Sequence, residues 1–441
     1  MIDPKGLREN PKVYYEACKA RGFDTANLDR FFDLDEKWRE TLKRLNSLKH
    51  EKNVLSGDIA QSVKDGRDPE KMKGQVRSLN LEIERLEGLM QQIEVDRQAV
   101  LKTVPNLLHP SVPVCKGDEN NQFVRFVGDA GVCSEDLEHF RSETHGKGQF
   151  HLIDSKPESH VDLMPRLGLA DLERAGKTAG ARFFYLRNRL VKLELALVNY
   201  AVDFLSERGF EVLEPPYMLN FQAMDGATDL ETFKDTLYKI EGEDLYLIST
   251  SEHPIAAYFM GEILDEDQLP ARFAGVSPCF RKEAGAHGKD TKGIFRVHQF
   301  TKIEQFVFCR PEHSWDFLEE ILGNAEAIYQ RLEIPYRVVN ICSGELGNLA
   351  AKKYDIEAWF PAQGRFREVV SASNDTDYQA RSLNIRYRTK EGNRFVHTLN
   401  STAIATTRTM VAIMENFQED NGFRIPRALV PYTGFDFIGP G

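Results

Sequence analysis

The 441 residues carry 57 Lys and Arg against 68 Asp and Glu, a formal charge of −11, with 41% hydrophobic and 10% aromatic side chains. That length and apolar content exclude a disordered chain and exceed what one core usually serves, so about two or three domains are expected. No run of about 18 apolar residues is present, and the acidic total weighs against nucleic-acid binding unless local features overturn it.

The start, MIDPKGLREN, interleaves acid and base with no apolar run behind it, so a soluble, uncleaved, cytoplasmic chain without membrane attachment is expected. The six cysteines (Cys18, Cys115, Cys133, Cys279, Cys309, Cys342) show neither Cys-x-x-Cys pairing nor zinc spacing with His, which fits reduced thiols and no zinc. From about Leu28 a helical seam runs through Leu34, Trp38, Leu45, Leu48, Leu55 and Ile59. A second runs from Met72 through Val76, Leu79, Ile83, Leu86, Met90 and Ile93, is broken at Arg97 and resumes at Val100. Between them DGRDP, residues 65–69, reads as a turn with Pro to begin the next helix. The two seams predict a long antiparallel helical hairpin, each arm about 50 Å long at 1.5 Å per residue. Residues 28–104 hold fifteen basic and fifteen acidic side chains, so the hairpin is neutral inside an acidic chain, with one basic stretch from Lys43 to Lys52. A dimerising coiled coil and an arm that touches a phosphate backbone both fit these facts.

TVPNLLHPSVPV, residues 103–114, has three prolines and ends the helical pattern. The expected division is a hairpin over 1–104, a linker over 105–120 and a large second domain over 121–441. Beyond the linker, strand runs follow one another without βαβ alternation, which predicts an α+β domain on an antiparallel sheet. ERAGKTAG, residues 173–180, is a false P-loop, because Asp171 stands where the first glycine is required. Residues 190–220 read as a long helix ended at Gly209 and a short strand into Pro215 and Pro216. DLYLISTSEHPIAAYF, residues 244–259, turns from strand to helix at Thr250-Ser251-Glu252, where hydroxyls and a carboxylate also serve as ordinary caps.

FRKEAGAHGKDTKGIFRVHQFTKIEQ, residues 280–305, places six Lys and Arg against three Asp and Glu. Its β-branched and aromatic flanks predict a hairpin with a long flexible glycine-rich tip. Strand alternation puts Arg281 and Glu283 on one face of the first strand, and Arg296, Phe300 and Glu304 on one face of the second. If the two faces coincide, one wall presents guanidinium for phosphate, a ring for a purine and carboxylate for an ammonium group, which together describe ATP and an amino acid. A salt-bridged surface hairpin accounts for the charges but not for Phe300 among them. Further on, Glu368 followed by Ser371 offers oxygen ligands for Mg²⁺, a weak signal alone. In residues 397–418, Arg408 stands before an apolar helix, where a cation needs an anionic or aromatic partner.

Phe-Arg-x-Glu, the glycine-rich loop, Phe-Arg-x-His-Gln-Phe and Glu-Gln resemble motif 2 of the class II aminoacyl-tRNA synthetases, in wording most similar to the seryl-tRNA synthetases. The resemblance extends over nearly the whole chain. It implies activation of L-serine with ATP to seryl-adenylate and transfer to tRNA(Ser), with tRNA(Sec) left open as a further acceptor. Catalysis would rest on Arg281, Glu283 and Arg408. ATP would lie against Arg281, Lys282, Glu283, Arg296, Val297, Phe300, Glu368, Val369, Val370, Ser371 and Arg408, with Mg²⁺ on Glu368 and Ser371. Serine would meet Thr250, Ser251, Glu252, Arg281, Glu304, Asn400 and Thr402. Ser401 stands where the family often has Gly or Ala. Residues 190–220 resemble motif 1, which implies a homodimer, and the hairpin would reach tRNA through Lys43, Arg44, Lys49 and Lys52. A non-catalytic relative that binds RNA or protein, and a coiled-coil scaffold with a different nucleotide, are the competing readings.

Overall fold

The computed structural model describes residues 1–228, 230, 235–283, 290 and 292–440, and the chain divides into two compact units, Met1–Pro105 and Asn106–Gly441. The first unit has four helices: α1 (Pro4–Glu9), α2 (Pro11–Arg21), α3 (Ala26–Lys64) and α4 (Glu70–Thr103). The latter two form the expected hairpin. Gly66 takes a left-handed φ of 71° in the turn between them, a conformation glycine adopts without steric cost.

Leu45 and Leu48 of α3 pack with Ile83 and Leu86 of α4. Each such buried side chain contributes roughly 2 kcal/mol. The break in the second seam has a partner across the hairpin. Arg97 lies 4.5 Å over the Trp38 ring and donates to Asp35 Oδ1 at 2.7 Å, so a buried ion pair replaces an apolar layer there. Arg8 of α1 donates to the same oxygen at 2.9 Å.

Of the expected linker, residues 105–120, all but Pro105 fall in the second unit, where two positions are anchored although Val114 and residues 118–120 are exposed. Asn106 is buried and its amide donates to Leu349 O and Asp375 O, both at 2.8 Å, while Val112 joins Val339 and Ile341 in an apolar cluster. The unit is built on an eight-stranded sheet. Its strands are β1 (Gln122–Val127), β2 (Glu211–Leu213), β3 (Ala271–Phe280), β4 (Gln299–Cys309), β5 (Tyr336–Asn340), β6 (Lys352–Phe360), β7 (Arg365–Thr376) and β8 (His397–Ala405). Their order is β1-β5-β6-β7-β8-β4-β3-β2, antiparallel throughout except for the edge pair β3 and β2.

Helices α5 (Arg189–Ser206), α7 (Ser314–Arg331) and α8 (Thr406–Asn416) bury apolar stripes against one face of the sheet, in a cluster that includes Leu193, Ile321, Met410, Ile303, Val307 and Leu399. The short helix α6 (Glu252–Ala256) packs on the opposite face, where Ile255 meets Phe273, Phe306 and Phe308. Helices thus cover one side completely. The other side is left partly open, and the cavity lies there.

Candidate active site

Along β4 the even-numbered Phe300, Lys302 and Glu304 line a cavity, whereas the odd-numbered Ile303, Gln305 and Val307 face the helices, Gln305 donating to Ile321 O at 3.0 Å. Register then decides which neighbours join them, because residues directly opposite in a ladder share a face. Cys279 is opposite Phe300, and Gly275 opposite Glu304. Two residues past Cys279, Arg281 returns to the Phe300 face, its guanidinium carbon 5.2 Å from the ring centroid.

Two strand irregularities complete the wall. The ladder between β4 and β8 shifts at Ile303/Glu304, which brings Thr402 opposite Glu304. The ladder between β6 and β7 shifts at Ile356/Glu357, so that Glu368 opposes Glu357 and Ser371 opposes Asp355. Three positions apart in a regular strand, Glu368 and Ser371 would point to opposite faces. The extra residue, Val369, returns them to the same one.

The cavity has a volume of about 510 Å³, within the range usual for small-molecule sites. Of the residues expected at the site, it brings together Thr250, Glu252, Arg281, Glu283, Arg296, Phe300, Glu304, Glu368, Val369, Ser371, Asn400, Thr402 and Arg408. Four others lie off the lining. The Ser251 side chain is fully buried and its hydroxyl donates to Gly275 O at 3.2 Å. Val297 and Val370 belong to the apolar core, and the Lys282 ammonium lies 5.8 Å over the Tyr238 ring.

Both strands of the motif-2 hairpin are shorter than expected. β3 stops at Phe280 and β4 begins at Gln299, although Arg281 N still donates to His298 O at 2.9 Å. Glu283 has a left-handed φ of 50°, outside any strand. The tip of this hairpin lies mostly outside the described residues.

Sequence reading missed Lys302, Lys353, His253 and the loop Leu346–Ala350, all of which line the cavity. Lys302 was legible from alternation alone, because it stands between Phe300 and Glu304. The loop carries no motif. Ser401, the departure from the family pattern, is fully buried opposite Gln305 and Ala372 on the helical face of the sheet, away from the cavity.

Charge in the cavity is closely matched. Arg296 pairs with Glu283 at 3.1 Å, and Arg281 Nε donates to Ser249 O at 3.3 Å. Arg408, in the first turn of α8, finds both partners its position requires: Glu368 Oε1 at 3.3 Å and the Phe295 ring at 5.1 Å. Loss of water raises the Glu368 carboxyl, but Arg408, Lys353 and Arg281 outweigh it and hold the group below its ordinary range. Burial, then the nearby Glu304, pushes Glu252 up to about 7, while Gln379 donates to its Oε1 at 2.9 Å. Burial, with Lys302 and Arg281, pushes His253 down to about 3, so its imidazole is neutral.

Gly275 matters for close approach. A Cβ there would lie 2.5 Å from Ile255 Cδ1 and 2.7 Å from Ser251 Oγ, so only glycine lets the start of α6 settle onto β3 beside Glu304.

Residues 233–417 match the model for the tRNA synthetase class II core domain (G, H, P, S and T), and residues 1–108 that for the Seryl-tRNA synthetase N-terminal domain. The chain is 65% identical to the serine–tRNA ligase of Picrophilus torridus over 441 residues, covering 100% of this chain and 99% of that one. The chain belongs to the seryl-tRNA synthetase family. A second family member, the serine–tRNA ligase of Thermoplasma acidophilum, is 64% identical with both chains covered to 100%. The crystal structure of seryl-tRNA synthetase from Pyrococcus horikoshii complexed with ATP superposes with a TM-score of 0.95 at 50% identity, covering 100% of each chain. The helical hairpin and the antiparallel core flanked by helices are therefore the family's own architecture.

Proposed function

We propose that this chain activates L-serine with ATP to form seryl-adenylate and pyrophosphate, and passes the seryl group to tRNA(Ser). The observation that carries the reading is the single wall on which Arg281 lies 5.2 Å over Phe300 with Glu304 beyond it, in a cavity of about 510 Å³. The serine carboxylate attacks the α-phosphate, so no protein nucleophile is needed. The residues act by alignment and charge: Arg281 on the α-phosphate, Arg296 and Arg408 toward the polyphosphate, Phe300 under the adenine. Glu304 accepts from the substrate ammonium, while Thr250, Glu252, Asn400 and Thr402 surround the small side chain.

Glu368 and Ser371 share one face, and Asp355 opposite Ser371 has a buried Oδ1 without a hydrogen-bond partner among the described residues. This oxygen-rich patch fits a hard cation, and Glu368 with Ser371 would hold Mg²⁺ there. When bound, Mg²⁺ neutralises phosphate charge.

The hairpin serves as the tRNA arm, recognising backbone and shape. Lys43, Arg44 and Lys49 are exposed, although Arg44 and Lys49 also pair with Glu82 at 3.2 Å and Glu87 at 2.8 Å across the hairpin. Dimerisation through the motif-1 region is supported by Leu195 and Val212, 57% and 40% exposed on α5 and the edge strand β2. No helix among the described residues is long and apolar enough to cross a membrane.

Pyrophosphate exchange with serine, threonine and alanine tests the core of this reading. Serine is expected to exceed alanine by several powers of ten, because buried polar groups stay unpaired without the hydroxyl. Comparable rates for all three would overturn it. Charging of tRNA(Sec) is tested separately, by transfer of labelled serine to that tRNA.

A further inference from the structure

Lys302 has no part in the reading above, yet it is the most enclosed cation of the cavity wall. Its side chain is 8% exposed and that of Glu304, with which its Nζ forms an ion pair, 2%. A lysine held this far from water is costly unless it is paired, so its partner defines its purpose.

The pairing divides the Glu304 carboxylate in two. Lys302 Nζ meets Oε2, and the Thr402 hydroxyl donates to the same Oε2 at 3.4 Å. Oε1 has no partner among the described residues, and Glu304 lines the cavity. Two groups on two strands therefore fix one oxygen and leave the other for an incoming donor.

We infer that Lys302 is a positioning residue for the amino-acid end of the cavity: by occupying Oε2 of Glu304 it holds that carboxylate charged and in one rotamer, with Oε1 presented to the substrate ammonium. The inference rests on the proposal that Glu304 takes the ammonium.

The surroundings show why such a residue is needed. Glu304 is faced by Lys302 from its own strand, Arg281 from the end of β3, Thr402 from β8 and Glu252 from α6. Burial holds the Glu304 carboxyl above its ordinary range, toward the neutral form that cannot attract an ammonium, and Lys302 is the strongest of the groups that oppose that rise. Without it, two buried carboxylates would face one another with Arg281 as the remaining nearby cation, the situation in which one of a pair stays protonated. A hydroxyl or amide at position 302 would hold the rotamer but not the charge.

The test uses the full chain, pyrophosphate exchange, and the variants Lys302→Met, Lys302→Gln, Lys302→Arg and Glu304→Gln. Lys302→Met is expected to raise KM for serine roughly 10- to 100-fold near pH 7 while KM for ATP changes less than about twofold. KM for serine in Lys302→Met should fall again as pH rises, because Glu304 then ionises without help. Lys302→Arg is expected to restore most of the affinity. Should Lys302→Met fail to fold, Lys302→Gln against Lys302→Arg makes the same contrast between charge and shape. Equal KM effects on serine and ATP, or no new pH limb, would leave Lys302 a structural residue and overturn the inference. An unchanged KM for serine in Glu304→Gln would instead remove the ammonium assignment beneath it.

Discussion

Asp35 of the hairpin and Glu304 of the cavity are both 1% exposed, and their surroundings differ in kind. Asp35 receives Arg97 at 2.7 Å and Arg8 at 2.9 Å on Oδ1, and Arg39 Nε lies 3.2 Å from Oδ2, out of line for a hydrogen bond. Those guanidiniums come from α1, α3 and α4, so the carboxylate ties three helices together. Glu304 receives a lysine and a hydroxyl on one oxygen only, with Glu252 close by. Burial depth is the same in both cases. What separates the two is the charge around them: guanidiniums flank both oxygens of Asp35, whereas Glu304 has one lysine on one oxygen and a second carboxylate nearby.

The contrast breaks most visibly at Arg281. Arg281→Ala is expected to lower pyrophosphate exchange by about 10³-fold, the cost of removing a preorganised donor from developing charge, whereas Arg8→Ala should leave exchange unchanged. A similar rate for both variants would erase the distinction. Asp35→Ala should cost the first unit about 3 kcal/mol, at the low end for a broken buried pair because Arg8 and Arg39 keep contact with water. Hydrogen exchange along α3 and α4 would report it, with exchange kinetics for serine and ATP unaltered. Joint replacement of Lys43, Arg44, Lys49 and Lys52 by Ala should raise KM for tRNA about 10- to 100-fold and flatten its salt dependence, without affecting adenylate formation. Equal loss in both half-reactions would show that the stretch is structural.

The smallest effect concerns Glu252. Its folded-state value, pushed up to about 7 by burial and Glu304, lies above that of an unfolded carboxyl. The folded state therefore binds more protons, and the contribution of this group to stability, complete below about pH 4, is lost as pH rises through about 7. Glu252→Gln should accordingly gain stability relative to the parent between those values, seen as a Tm difference that grows with pH. A difference independent of pH would mean that the carboxyl is ionised throughout.

Much of this was legible in the residues, and the gaps have identifiable causes. The hairpin follows from the spacing of Leu45, Leu48, Ile83 and Leu86, since a seam repeats along one chain segment. Arg97 read only as a break, because its partner Asp35 is 62 positions away and one place off the seam. Strand alternation put Phe300 and Glu304 on one face, but that Arg281 shares it depends on the register of β3 against β4, which alternation leaves open. Alternation did not put Glu368 and Ser371 together, since their common face depends on a shift in register that no periodicity announces. Ser251 was grouped with its neighbours Thr250 and Glu252, but the turn into α6 directs its hydroxyl to Gly275 instead. The loop Leu346–Ala350 reaches the cavity only through tertiary packing.

Gly275 carries one more consequence. Because the side chains of Ile255 and Ser251 already stand where a methyl group at 275 would go, α6 rests directly on β3 behind Glu252, and on the proposed reading that leaves little room there for a bulkier substrate. Variants selected to accept larger amino acids are therefore expected to carry their changes at Thr250 or on β8, and substitutions at 275 to lose activity although that residue never meets a ligand.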